Sequence, residues 1–133
     1  MDLVFWGNYS NFAIMNENRD NQPLKRVRIT AMRQTVYHDL MQQFENPIEH
    51  ACDICLGQSF ISIDGQRPEG MCESAWESMR SFVEALARGE GNFYDGWMQN
   101  PYSAMISCND GFRPVSFYLE TIDTANCQLT TKN

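Results

Sequence analysis

The sequence predicts one small α+β domain, mainly an antiparallel sheet with one long amphipathic helix and one short helix. Segments with apolar residues at every second position indicate strands, and one longer segment with an apolar stripe at helical spacing indicates the main helix. Hairpin-forming strands with segregated helices favour α+β over a doubly wound parallel sheet. With 133 residues and 43% hydrophobic content, the chain can bury a single core.

The first half of the domain contains two predicted strands and the short helix. The first strand is predicted over residues 25–36 from its alternating apolar side chains, Val27, Ile29 and Ala31. The short helix is predicted over His38–Phe44, because apolar residues recur there at helical spacing and Pro47 follows. The second strand is predicted over Gly57–Ile63, before an Asp-Gly turn.

The main helix is predicted over Ser74–Arg88. Its apolar stripe consists of Ala75, Trp76, Met79, Phe82, Val83, Leu86 and Ala87. The spacing of Ser74 and Glu77 is typical of a capping box at the start of a helix, and Gly89 is expected to end it.

A hairpin follows, with strands predicted over Ala104–Cys108 and Val115–Ile122, and its turn carries a thiol, a carboxylate and a guanidinium. Cys108 could act as a thiolate or acid, Asp110 as a proton carrier and Arg113 as an anion clamp. The alternative is structural, because Asp-Gly is a turn signal and Arg113 could pair with Asp110 or with the C-terminus of a helix.

Two further catalytic candidates lie at the starts of the predicted helices. Cys72 precedes the main helix, where the helix dipole and unsatisfied N–H groups favour a thiolate. His38 begins the short helix and could carry a proton near neutral pH. The structural alternatives are a small buried cysteine and a histidine that faces solvent.

Aromatic residues are numerous just before the hairpin. Trp97 lies in a glycine-containing loop and is the better candidate for lining a ligand pocket, together with Tyr94. Trp76, by contrast, fits the apolar stripe of the main helix and is expected in the core.

A different hypothesis assigns the cysteines to a metal. Cys52 and Cys55 form a single CxxC pair, and a zinc or iron site would also require Cys72 and Cys108 to converge. Specific zinc modules repeat the CxxC pair, and this chain has one such pair, so the spacing is suggestive only.

Composition argues against two classes of partner. Ten basic and seventeen acidic side chains give a formal net charge of −7, which disfavours nucleic acid. No segment approaches the roughly 20 apolar residues that span a bilayer, and the first residues lack the pattern of a signal peptide. We therefore expect a soluble, cytoplasmic protein with neither nucleic-acid nor membrane partners.

The chain divides into three regions. Residues 1–23 form an N-terminal extension that could be a lid, an interface or a linker; its apolar residues are Leu3, Val4, Phe5, Trp6, Tyr9, Phe12, Ile14 and Met15. Residues 24–123 form the α+β domain, and residues 124–133 form a polar tail.

Three blocks of sequence carry a resemblance to known proteins: Pro68–Trp76, Phe93–Met98 and Cys108–Phe117. In this order they resemble a family of small cysteine-containing proteins, mostly bacterial and archaeal, whose function is unknown. The resemblance spans roughly residues 26–123, and it implies no particular activity.

The leading functional hypothesis is a small-molecule-binding protein, and within that class a small metabolic or biosynthetic enzyme of unspecified reaction. Its pocket would be bounded by the start of the main helix, the Trp97 loop and the turn from Cys108 to Arg113. The alternatives are the cysteine-ligated metal protein and an interaction subunit that uses its apolar N-terminus to contact a partner or a second copy in a homo-oligomer. The residues indicate no cofactor.

Overall fold

A computed structural model of the protein describes residues 23–48 and 54–122. Within them, the elements are β1 (Arg26–Gln34), α1 (His38–Phe44), β2 (Ser59–Ser62), α2 (Glu73–Ala87), β3 (Ser103–Ser107) and β4 (Val115–Ile122). The four strands form one antiparallel sheet in the order β2-β1-β4-β3. The α+β prediction is therefore confirmed, whereas the N-terminal extension, the polar tail and Cys52 lie outside the described residues.

One face of the sheet is buried beneath α2. Alternation in β1 produces this arrangement, because Val27 and Ile29 are fully buried while Arg28 between them is exposed and pairs with Glu120 at 3.0 Å. The core consists of the inward residues of the strands and the apolar stripe of α2: Val27, Ile29, Ala31, Phe60, Met71, Ala75, Trp76, Met79, Val83, Leu86, Ala87, Ala104, Val115, Phe117 and Leu119.

The sequence predicted the C-terminal end of α2 correctly but not the capping of its N-terminal end. The helix begins at Glu73 with Cys72 as its N-cap residue, and no side chain caps it, so the predicted Ser74–Glu77 capping box is wrong. The predicted stop at Gly89 is confirmed. Gly89 has a φ of +87° and its N–H donates to the Leu86 carbonyl, while the Glu90 N–H donates to Ala85. These bonds form a Schellman motif, which requires a left-handed residue that glycine adopts without strain.

The short helix α1 has the predicted bounds, yet none of its residues is buried. Backbone hydrogen bonds hold the segment that precedes it: Thr35 donates to the Pro114 carbonyl and Tyr37 donates to the Phe112 carbonyl. These bonds place α1 beside the turn that joins β3 to β4. No helix within residues 23–48 and 54–122 is long and apolar enough to cross a membrane.

Candidate functional site

Arg113 joins the turn at residues 108–114 to the end of α1. Its Nη2 and Nη1 atoms donate to the two carboxylate oxygens of Glu45 at 2.5 and 3.1 Å, and Nη1 also donates to Asp110 Oδ2 at 3.3 Å. The side chains of Arg113 and Glu45 are only 11% and 18% exposed. Because Glu45 is the C-cap residue of α1, this bidentate pair fixes the end of that helix against the turn.

Asp110 shapes the turn through its own backbone. Its Oδ1 atom accepts the N–H of Phe112 at 2.8 Å and the N–H of Arg113 at 3.2 Å, while Oδ2 accepts from the Arg113 guanidinium. This pattern is a local side-chain turn. The described contacts of Asp110 therefore assign it to positioning Arg113, in agreement with the structural alternative for this residue.

The hydrogen bonds from Glu45 raise the pKa of the Arg113 guanidinium above its ordinary value, with Asp110 adding to the effect. The cluster thus holds one positive charge between two carboxylates. Both terminal nitrogens of Arg113 already donate to protein carboxylates. This arrangement does not favour the anion-binding role that the sequence suggested for Arg113. The two carboxylates make the cluster less attractive to an anion than a single arginine would be.

A groove of about 590 Å³ lies between α1 and this charged cluster. It is lined by His38, Met41, Gln42, Glu45, Asn46, Pro47, Ile48 and Arg113. The groove therefore brings together two of the residues proposed from sequence, His38 and Arg113. It also contains Glu45, which sequence reasoning missed, although an acidic residue at the end of a short helix is a possible partner for an unassigned arginine.

The described cysteines do not line this groove. Cys72 is exposed at the N-cap of α2, and Cys108 is half-buried, with its Sγ accepting the N–H of Val115 at 3.3 Å. Within residues 23–48 and 54–122, no three Cys, His, Asp or Glu side chains are grouped so that they could hold a metal ion. Cys55, Cys72 and Cys108 therefore do not form the core of a four-cysteine site, and Cys52 lies outside the described residues.

Trp97 and Tyr94 lie away from the groove. Their loop precedes Ser103, the first residue of β3, whereas the turn with Cys108 and Arg113 follows the last residue of that strand. A five-residue strand separates its two ends by roughly 15 Å. The lining of the groove does not include the Trp97 loop, and a single pocket bounded by both loops stays a prediction. The start of α2 does lie beside the turn, because the Asn109 side chain donates to the Ser74 carbonyl at 3.4 Å.

Comparisons of the chain with models of protein families, with curated proteins and with solved structures find no match. The resemblance of the three sequence blocks to a cysteine-containing family thus stays a prediction. A fold alone does not identify an activity, whereas the side chains of a site indicate what it can bind.

Substituting lysine for Arg113 is expected to loosen α1 from the domain. Lysine keeps a positive charge but cannot make the bidentate contact with Glu45. We expect the backbone amides of α1 to exchange with solvent several-fold faster in Arg113→Lys, measured by NMR hydrogen exchange. A raised pKa in the folded state means that the charged arginine contributes fully at every pH below the ordinary pKa of arginine. The protection in the unsubstituted protein should therefore not decrease between pH 7 and 10 through loss of this charge.

Arg88→Lys is the matched control. Arg88 also contacts a glutamate through two nitrogens, at 2.9 and 3.2 Å from Glu90, but its side chain is 43% exposed and lies at the far end of α2. This variant should leave the exchange of α1 unchanged. Equal exchange of α1 in Arg113→Lys and in the unsubstituted protein would show that the Glu45 contact does not hold the helix.

Proposed function

We propose that this protein binds a small organic molecule in the groove between α1 and the turn at residues 108–114. The observation that carries the proposal is the volume of the groove, about 590 Å³, which lies in the range of roughly 300–1,000 Å³ typical of ligand pockets. One wall is held in place by the largely buried pair of Arg113 and Glu45. A fixed polar wall beside an apolar surface is the usual composition of such a site.

The lining residues favour a ligand with an apolar body and a few hydrogen-bonding groups. Met41, Pro47 and Ile48 supply the apolar surface. Besides the paired Glu45 and Arg113, three side chains supply hydrogen-bonding groups: His38, Gln42 and Asn46. Because the cluster holds more carboxylates than guanidinium groups and the chain carries a net charge of −7, a neutral or cationic ligand is favoured over an anionic one.

The proposal concerns binding and not a particular reaction. Among the catalytic candidates, His38 lines the groove, whereas Cys72 and Cys108 do not line it. Arg113 and Asp110 are engaged with each other and, for Arg113, with Glu45. A thiol-dependent reaction in this groove therefore has no support from the described contacts.

The test is an NMR titration of the full chain with a library of small molecules sorted into neutral, cationic and anionic sets. We expect neutral or cationic compounds to shift the backbone resonances of α1 and of residues 108–114. The variant Met41→Ala should weaken such binding about tenfold, because it removes an apolar wall of the groove.

Met105→Ala is the control for that titration. Met105 is 40% exposed on β3 and does not line the groove, so its removal should leave the affinity unchanged. Compounds that shift only other regions, or that bind Met41→Ala as tightly as the unsubstituted protein, would contradict the proposal.

A further inference from the structure

A second surface with features of a binding site lies on residues 92–98, which we call the aromatic loop. Tyr94 is 75% exposed and Trp97 is 42% exposed, and neither belongs to the core. Their ring centroids are 5.2 Å apart and the ring planes meet at 79°. Two exposed aromatic faces at nearly a right angle form half of the kind of cage that holds organic cations.

The backbone of the aromatic loop is strained where it presents these side chains. Tyr94 has a φ of +54°, in the left-handed region, as do its neighbours Asn92 and Asp95 at +53° and +54°. Asparagine and aspartate tolerate this conformation, but an aromatic residue does so only at a cost in free energy. Because Tyr94 is three-quarters exposed, packing within the described domain does not explain why tyrosine stands at this position.

Contacts on either side of Tyr94 keep the loop in place. The Asn92 N–H donates to the Pro101 carbonyl at 2.6 Å, and the Gly96 N–H donates to Asn92 Oδ1 at 2.9 Å. Phe93 packs edge-on against Phe82 of α2, with ring centroids 5.0 Å apart. The backbone that carries the aromatic pair is therefore held in place before any partner arrives, which reduces the entropy lost on binding.

The charge around the loop favours a cationic partner. Residues 91–101 contain one charged side chain, Asp95, and it is acidic. The nearest preceding arginine, Arg88, is paired with Glu90 at 2.9 Å. Asp95 lies between the two aromatic residues in sequence and is exposed. A carboxylate in the same loop as two exposed aromatic rings adds its negative charge to the attraction of the ring faces for a cation.

We propose that the aromatic loop docks an arginine or lysine side chain carried by a basic segment of a partner protein. A protein segment fits better than a small free cation, because the two rings lie on an open surface where a small ion would remain largely hydrated. Additional peptide contacts on such a surface supply burial that a single cation lacks. This site is independent of the groove, from which β3 separates it.

The experiment is an NMR titration of the full chain at low salt with a glycine-spaced arginine peptide. The matched peptide carries citrulline, which is neutral and similar in shape, at each arginine position. We expect the arginine peptide to shift the resonances of residues 92–98 and to bind more weakly as salt is raised. Trp97→Leu and Asp95→Asn should each weaken it about two- to fivefold.

Tyr94→Gly separates a binding role from a structural one. Glycine accepts the positive φ at this position without strain, so the variant should unfold at the same or a higher urea concentration while binding the peptide less tightly. If Tyr94 had only a structural role, its replacement by glycine would instead lower the urea midpoint.

Three results would overturn the proposal. The first is equal binding of the citrulline peptide, which would show that the surface binds neutral groups such as apolar side chains or sugars and does not depend on positive charge. The second is equal binding of free arginine amide, which would show that the surrounding segment adds nothing. The third is unchanged affinity in Tyr94→Gly and Trp97→Leu, which would place the peptide elsewhere on the protein.

Discussion

Replacing Phe117 by alanine is expected to lower the free energy of unfolding by about 3–5 kcal/mol. Phe117 is 1% exposed on the inner face of β4, a central strand, and belongs to the buried cluster beneath α2. Truncation removes its apolar surface from the core and leaves a cavity. The loss is large because the total free energy of unfolding of a domain is only about 5–15 kcal/mol. Urea denaturation followed by circular dichroism measures the loss.

Phe44→Ala is the matched control for that prediction. This variant makes the same substitution on α1, where Phe44 is 67% exposed. We therefore expect its free energy of unfolding to stay within about 0.5 kcal/mol of that of the unsubstituted protein. The comparison tests whether the core lies between the sheet and α2 alone. A large loss in Phe44→Ala would mean that α1 contributes to the core, contrary to the described burial.

Replacing Gly91 by alanine is expected to cost about 1–3 kcal/mol, the usual range for forcing extra atoms into a filled space. A Cβ atom at Gly91 would lie 2.9 Å from a ring carbon of Tyr102 and closer still to the carbonyl oxygen of Pro101. That carbonyl also accepts the N–H of Asn92 at 2.6 Å, so the collision would disturb the base of the aromatic loop. The urea midpoint reports the cost in stability.

Gly111→Ala provides the control for Gly91→Ala. A Cβ atom at Gly111 would meet nothing within 4 Å, so this variant should retain the stability of the unsubstituted protein within about 0.5 kcal/mol. The resonances of residues 92–98 should shift in Gly91→Ala but not in Gly111→Ala. A Gly91→Ala protein as stable as the unsubstituted one would show that the loop and Pro101 can separate without cost.

Local patterns predicted the elements of the fold well, because burial on one face imposes a period that can be read along the chain. Alternation at Val27, Ile29 and Ala31 predicted β1, and the bounds of His38–Phe44 agree with the structure. The predicted start of α2 differs from the observed one by a single residue, Ser74 against Glu73, but the predicted capping box is wrong, since several residues near the start can cap a helix. Cys72 is the N-cap residue because the chain leaves its extended conformation there, and no local pattern indicates that point.

The site was predicted less well, because it depends on distances that no local pattern contains. The contact of Arg113 with Glu45 joins residues 68 positions apart, and sequence alone left the partner of Arg113 open. Trp97 and Cys108 are close in sequence, but Trp97 precedes β3 and Cys108 follows it, so a strand separates their loops. The sequence indicated Asp110 as a possible partner of Arg113. It did not indicate Glu45, the second carboxylate that contacts the guanidinium.

The strand order has a consequence for how the chain folds. The two central strands of the sheet, β1 and β4, are the first and last strands of the described chain, and Arg26 pairs with Ile122. Closing such a long loop costs conformational entropy before the pairing is formed, which slows folding relative to proteins with mostly local contacts. During synthesis, β2 and α2 are made before β4, but the edge of β1 that pairs with β4 stays open until β4 is made. The domain therefore acquires its native sheet only after nearly all of its residues have been made.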